Sequence, residues 1–139
     1  MGKVFAFAVA LAAASLIPAL AFGAYESVTR PADSFASSFF LALMFGSAHS
    51  MLLGAPAAVA LWLTGFFRPA ALFAAGALIG LLPLSIFTVV SPPNYWQSPV
   101  LLFASFGLLG ALAGLVFYFT FRGLSPNNSF KPMPLRGTA

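Results

Sequence analysis

The chain has 139 residues, of which 61% are hydrophobic and only 6% are charged. A soluble domain has roughly a quarter of its residues charged, so this composition excludes a soluble globular domain. The chain contains no cysteine, which excludes disulfides, thiol chemistry and cysteine-ligated metals. Its formal net charge of +4 comes mainly from basic residues placed between apolar segments and near the chain ends, which favours membrane orientation over nucleic-acid binding.

Four apolar segments are long enough to cross a membrane, because about 20 apolar residues in a helix span the hydrocarbon core. They comprise residues 4–23, 35–67, 70–90 and 100–121. The sequence therefore predicts an all-α integral membrane protein, with a four-transmembrane-helix bundle over residues 1–122. The tail, residues 123–139, is rich in Pro, Ser and Asn and carries two basic residues, so we expect it to be disordered.

The first segment has two interpretations. Lys3, a short apolar core, Pro18 and the small-residue pattern at 19–21 resemble a cleavable secretory signal. We favour retention of this segment as the first membrane helix, and cleavage stays open as the alternative.

The second segment is too long for a straight crossing, since a helix over residues 35–67 would extend about 50 Å. It must tilt, bend or protrude at one end. Proline removes a backbone hydrogen bond and crowds the preceding turn. We therefore predict that the helix bends near Gly54–Pro56.

His49, the only histidine, lies near the middle of this long segment. At 100° per residue, small residues such as Gly46 and Ser50 lie to one side of it, on the arc expected to face protein. Bulky apolar residues on the opposite side form the arc that we expect to face lipid: Leu41, Met44, Met51, Leu52, Val59 and Trp62.

A polar side chain at this depth needs a hydrogen-bonding partner. We predict that the ring of His49 is neutral and points into the bundle, close to a polar atom of the first or third span. Ser15 is one possible partner, and the carbonyls of Ala14, Leu52 and Ile79 are others, each lying four residues before a proline. The candidate intramembrane polar site is thus His49, Ser50 and Ser15, and it is either a structural clasp, which we favour, or a functional site.

Small residues recur on every span, which indicates close helix packing. Gly76 and Gly80 form a GxxxG pattern in the third span, and Gly107, Gly110 and Gly114 mark one face of the fourth. We favour packing within one bundle, and homo-oligomer contact is the alternative.

The outer loop between the last two spans contains Tyr95 and Trp96, which are candidate contacts for a partner and also common anchors at a membrane interface. The distribution of basic residues predicts the orientation, because cytoplasmic loops are enriched in Lys and Arg. With both termini cytoplasmic, only Arg30 falls outside, whereas five basic residues fall inside: Lys3, Arg68, Arg122, Lys131 and Arg136. We expect a multi-pass protein of the cell membrane, and specifically of a bacterial inner membrane.

Catalysis is not expected, because the chain offers no carboxylate pair in a span, no cysteine and no second histidine. We expect no cofactor, no metal and no nucleic-acid partner. The favoured function is a non-enzymatic accessory, assembly or immunity-type subunit that acts through helix–helix and outer-loop contacts. The alternative is a homo-oligomeric channel or small transporter that uses His49 as its intramembrane polar site. The expected partners are the lipid bilayer and either a membrane protein or further copies of the chain.

Overall fold

The computed structural model describes residues 2–29, 34–90 and 99–125, and the regular structure within these ranges is entirely helical. The all-α prediction is therefore confirmed for the described part of the chain. The elements are α1 (Lys3–Thr29), α2 (Ser34–His49), a π-helical turn (Ser50–Gly54), α3 (Ala55–Leu63), α4 (Pro69–Val90) and α5 (Pro99–Leu124).

Three helical segments of the described chain are long and apolar enough to cross a membrane. They are Lys3–Val28, Phe35–Leu63 and Phe103–Leu124. A shorter apolar helix, Pro69–Leu82, forms the first part of α4. Pro69 and Pro99 begin α4 and α5, since a proline in the first turn gives up an N–H that has no helical partner.

Helix α1 is central to the arrangement, because it packs along α2 on one side and along α5 on the other. Helix α5 also packs along α4, in the most extensive contact of the molecule. The π turn and α3 touch α4 only lightly. Ser15 of α1 is a buried polar residue, and the buried alanines of α1 (Ala6, Ala10 and Ala14) contribute to the core.

Glycines make the contact between α4 and α5. A Cβ atom added at Gly76 would overlap the carbonyl oxygen of Gly110, and one added at Gly110 would overlap the carbonyl oxygen of Gly76. A Cβ atom added at Gly114 would likewise overlap the carbonyl oxygen of Leu72. The small faces predicted on these two spans therefore meet each other within one chain, and the two backbones touch directly.

The second membrane-length helix ends earlier than predicted. The sequence suggested helix up to residue 67, but α3 ends at Leu63. Gly65 adopts a left-handed conformation with φ of 76°, and its N–H donates to the carbonyl of Trp62. A glycine in this conformation is the usual terminator of a helix, so the turn to α4 occupies Thr64–Arg68.

An aromatic cluster fills the end of the bundle near this turn. Phe67 is only 9% exposed and contacts Phe117, Tyr118 and Phe121 at ring-centroid distances of 5.6 to 6.3 Å. Phe7 of α1 packs against Phe117 at 5.2 Å. Phe67 and Phe117 are both part of the buried core.

Two sequence predictions lie largely outside the described residues. Tyr95 and Trp96 belong to residues 91–98, which the structure does not describe, and the same is true of the tail from residue 126. The last helix extends to Leu124, slightly past the predicted domain boundary at residue 122.

Candidate polar site at the π turn

A π turn interrupts the α-helical hydrogen-bond pattern of the long helix just before Pro56, close to where the sequence predicts a bend. The N–H of Ala55 donates to the carbonyl of Ser50, which is five residues earlier rather than four. Pro56 has no N–H to donate and crowds the turn that precedes it, so a wider turn at this point relieves the crowding. π turns of this kind are frequent at functional sites, so the side chains beside it are candidates for a functional role.

His49 is the last α-helical residue before the π turn, and its ring reaches across to α4. Its Nε2 atom lies 2.9 Å from the carbonyl oxygen of Ile79. A carbonyl can only accept, so Nε2 carries the proton and donates it. The prediction that the ring contacts a polar atom of the first or third span is confirmed, and the partner is one of the four that the sequence suggested.

The carbonyl of Ile79 is available because of Pro83. In a regular helix the N–H of residue 83 would donate to this oxygen, but proline has none. His49 therefore supplies the donor that α4 lacks at this position. An unpaired imidazole N–H and an unpaired carbonyl would each cost free energy in an apolar environment. The bond between His49 and Ile79 therefore satisfies both groups.

The second nitrogen of the ring, Nδ1, is not held by a hydrogen bond of this kind to any described residue. With the proton on Nε2, a neutral imidazole presents Nδ1 as an acceptor. Within the described residues, Nδ1 makes no hydrogen bond, and the side chain as a whole is half-buried. The imidazole is thus fixed at one nitrogen and open at the other.

The two serines of the candidate site form a separate link between α1 and the π turn. The Oγ atoms of Ser15 and Ser50 are 3.3 Å apart, and Ser15 also donates to the carbonyl of Leu11 at 2.9 Å. Ser15 is buried, with 2% of its surface exposed. A hydroxyl has one proton, so when Ser15 donates to Leu11, its bond to Ser50 uses the proton of Ser50.

The structure therefore divides the predicted site into two contacts. Ser15 and Ser50 join α1 to the π turn, whereas His49 joins α2 to α4. Sequence reasoning named all three residues but did not pair the serines with each other.

The rest of the second helix follows the predicted arcs. The bulky residues expected to face lipid are all exposed, from 39% at Val59 to 74% at Leu52. On the opposite side Gly46 lies against α1, where a Cβ would stand 3.5 Å from Cγ of Pro18. Phe45, one turn before His49, is 70% exposed, so the histidine lies at the edge of the exposed face.

The contact that the structure shows at this imidazole is the hydrogen bond to the Ile79 carbonyl. Ser50 bonds Ser15 rather than the ring, so the described residues contain no serine–histidine pair. Comparison with protein-family models, with curated proteins and with solved structures found no match for this chain.

Proposed function

We propose that this chain is a small multi-pass membrane protein that works as a non-enzymatic accessory, assembly or immunity-type subunit. It inserts as four helices with both termini cytoplasmic, and it meets its partner through the exposed face of the second span (Phe35–Leu63) and through the outer loop. Tyr95 and Trp96 of that loop are the proposed outer contacts. The expected location is the inner membrane of a bacterium.

The observation that carries this proposal is the exposure of the second span. None of the 18 residues in its most apolar stretch is buried. In the corresponding 18-residue stretches, 28% of the residues are buried in Lys3–Val28 and 17% in Phe103–Leu124. Contiguous exposed apolar surface marks either lipid contact or a protein interface. The face includes Met44, Phe45 and Met51, each at least 67% exposed, and methionine side chains adapt readily to a partner surface.

Retention of α1 is part of the proposal, and its position supports it. Ala6, Ala10 and Ala19 have no exposed surface, because α1 lies between α2 and α5. Loss of this helix would expose the faces of both neighbours. Mass measurement of the protein from native membranes tests this point directly.

The orientation is testable with cysteine labelling, since the chain has no cysteine of its own. Ser91→Cys should react with a membrane-impermeant maleimide from the outer side of the membrane. Ser125→Cys should react with it only from the cytoplasmic side. Reaction of both variants from outside would contradict the topology. Failure to recover the protein with carbonate-washed membranes would contradict insertion itself.

The partner contact is testable with a photo-reactive phenylalanine analogue. Placed at Phe45 (70% exposed), it should give a discrete adduct whose mass identifies a second membrane protein. Placed at Phe119 of α5 (63% exposed), it provides a matched control and should react only with lipid. Lipid adducts alone at both sites would contradict the accessory role, and an adduct of twice the chain mass would indicate a homo-oligomer.

A second candidate function is a homo-oligomeric channel or small transporter that uses His49. It is favoured by the half-buried ring whose Nδ1 makes no bond within the described residues, beside a π turn. Ionisable groups inside membranes commonly mark ion pathways. A proton or substrate flux in liposomes that His49→Ala abolishes and Ser50→Ala preserves would support this function over the accessory role.

A further inference from the structure

Three basic side chains surround the aromatic end of the bundle. Lys3 begins α1, Arg68 precedes α4, and Arg122 lies in the last turn of α5. All three are exposed. We refer to Lys3, Arg68 and Arg122 as the basic rim.

Contacts within the described structure show that these residues belong to one end of the molecule. Lys3 Nζ lies 5.6 Å from the centre of the Trp62 ring, near the end of α3. Phe67, next to Arg68 in the chain, packs on Tyr118 with a centroid distance of 5.7 Å. Tyr118 in turn bonds Arg122, so the aromatic cluster connects the elements that carry the rim.

Arg122 is held by a buried phenol. Its Nη1 donates to the hydroxyl of Tyr118 at 2.7 Å, and its Cζ lies 5.9 Å from the centre of that ring. Tyr118 is 6% exposed and is fixed by its packing against Phe67. A guanidinium has five N–H donors, so this bond orients Arg122 and leaves the other donors for a further acceptor.

The rim has no acidic counterpart nearby in the sequence. The chain has two acids, Glu26 and Asp33. Glu26 lies 23 residues after Lys3 on α1, which corresponds to about 35 Å along the helix. Asp33 follows Glu26 by seven residues, beyond the end of α1.

We propose that the basic rim binds the phosphate of an anionic phospholipid headgroup. The inference rests on the proposed membrane insertion, because the rim lies at the ends of the apolar helices, where headgroups would meet them. Arginine presents paired donors to phosphate oxygens, and exposed basic residues at this level attract anionic lipid. Arg68 and Arg122 are the phosphate-binding residues, and Tyr118 is a positioning residue for Arg122.

The test is a lipid titration of the full-length protein in detergent, followed by native mass spectrometry. The probes are phosphatidylglycerol and phosphatidylcholine of the same acyl composition. We expect preferential binding of phosphatidylglycerol. Arg68→Gln and Arg122→Gln should each weaken that binding about fivefold while leaving phosphatidylcholine binding unchanged.

Arg30→Gln is the matched control, because it removes the same charge from the chain at a position 27 residues after Lys3 in the sequence, directly after the end of α1 at Thr29. It should leave the preference for phosphatidylglycerol intact. Tyr118→Phe keeps the charge and the ring but removes the hydroxyl, and it should lower the preference less than Arg122→Gln does. The ratio of the two lipid affinities is the readout, since a purely structural loss would affect both lipids.

Equal affinity for the two lipids, or equal losses in Arg30→Gln and Arg122→Gln, would overturn the inference. Insertion is measured separately in vesicles of phosphatidylcholine alone. A protein that inserts there but shows no headgroup preference contradicts only the basic rim, whereas a protein that fails to insert contradicts the proposed function.

Discussion

The contact between α4 and α5 differs in kind from the contacts that hold the second span. Along α4 and α5, backbone meets backbone at Gly76 and Gly110, and no side chain intervenes. The second span instead meets α1 through side chains, with Phe35 and Phe39 against Gly23. It also makes two polar links, His49 to Ile79 and Ser50 to Ser15. Direct backbone contact tolerates no added atom, whereas a contact through hydrogen bonds can loosen and form again.

This difference assigns separate roles to the two regions. Without a hydrophobic drive in lipid, helix association depends on close packing and interhelical hydrogen bonds. The α4–α5 pair relies on close packing and should be the rigid part of the bundle. The second span relies more on the polar links, and we expect it to be the part that adjusts when a partner binds.

The largest expected effect is at the glycine contact. Gly110→Ala should lower the free energy of unfolding by about 2 kcal/mol, since its Cβ would overlap the Gly76 carbonyl and force the helices apart. Gly46→Ala on the second span should be neutral or stabilising, because its Cβ has ordinary contact distances of 3.5 and 3.6 Å and alanine favours helix.

Thermal unfolding of both variants in detergent, beside the wild type, measures this contrast. Gly107→Ala is a second control on α5, where the Cβ would meet the end of the Leu81 side chain at 3.4 Å. If Gly46→Ala proved as damaging as Gly110→Ala, the distinction between the two regions would be wrong.

The next largest effect concerns His49. His49→Leu leaves the Ile79 carbonyl without its donor and should cost about 1 kcal/mol, in the range of interhelical hydrogen bonds in membrane bundles. His49→Asn should retain more stability, because an amide also donates. Unfolding measurements separate this from a functional role, in which both variants would lose activity and remain as stable as the wild type.

The sequence predicted much of this arrangement, for identifiable reasons. Composition and apolar length indicated an all-helical chain, and the need of a buried imidazole for a partner indicated that His49 reaches another span. The proline rule reduced the possible carbonyl partners to a few, among them Ile79.

The remainder depended on geometry that sequence periodicity does not contain. The π turn inserts an extra residue into the helical repeat, and a constant rotation of 100° per residue does not reveal it. The burial of Phe67 depends on the left-handed turn at Gly65, which ends α3 at Leu63 and returns the chain toward α5.

A smaller effect should appear when Pro83 is replaced. Pro83→Ala restores an N–H that can donate to the Ile79 carbonyl, so this oxygen no longer depends on His49. In that background His49→Leu should cost about 0.5 kcal/mol less than in the wild type, which is a coupling of the size that shared partners show. If His49→Leu costs the same in both backgrounds, pairing of the freed Ile79 carbonyl does not account for the stability that His49 contributes.

The smallest expected effect concerns the two serines. Ser50→Ala removes the 3.3 Å contact but leaves Ser15 bonded to Leu11, so the buried hydroxyl stays satisfied and the cost should be at most about 0.5 kcal/mol. Ser15→Ala removes both bonds, but it also removes the buried hydroxyl that needed them, so its cost should be similar. A double-mutant cycle on unfolding free energies gives the coupling of the pair, which should be weaker than the loss in His49→Leu. A coupling larger than that loss would make the serine link, and not the histidine, the stronger of the two polar contacts of the second span, and partner binding would then have to act on the serine link.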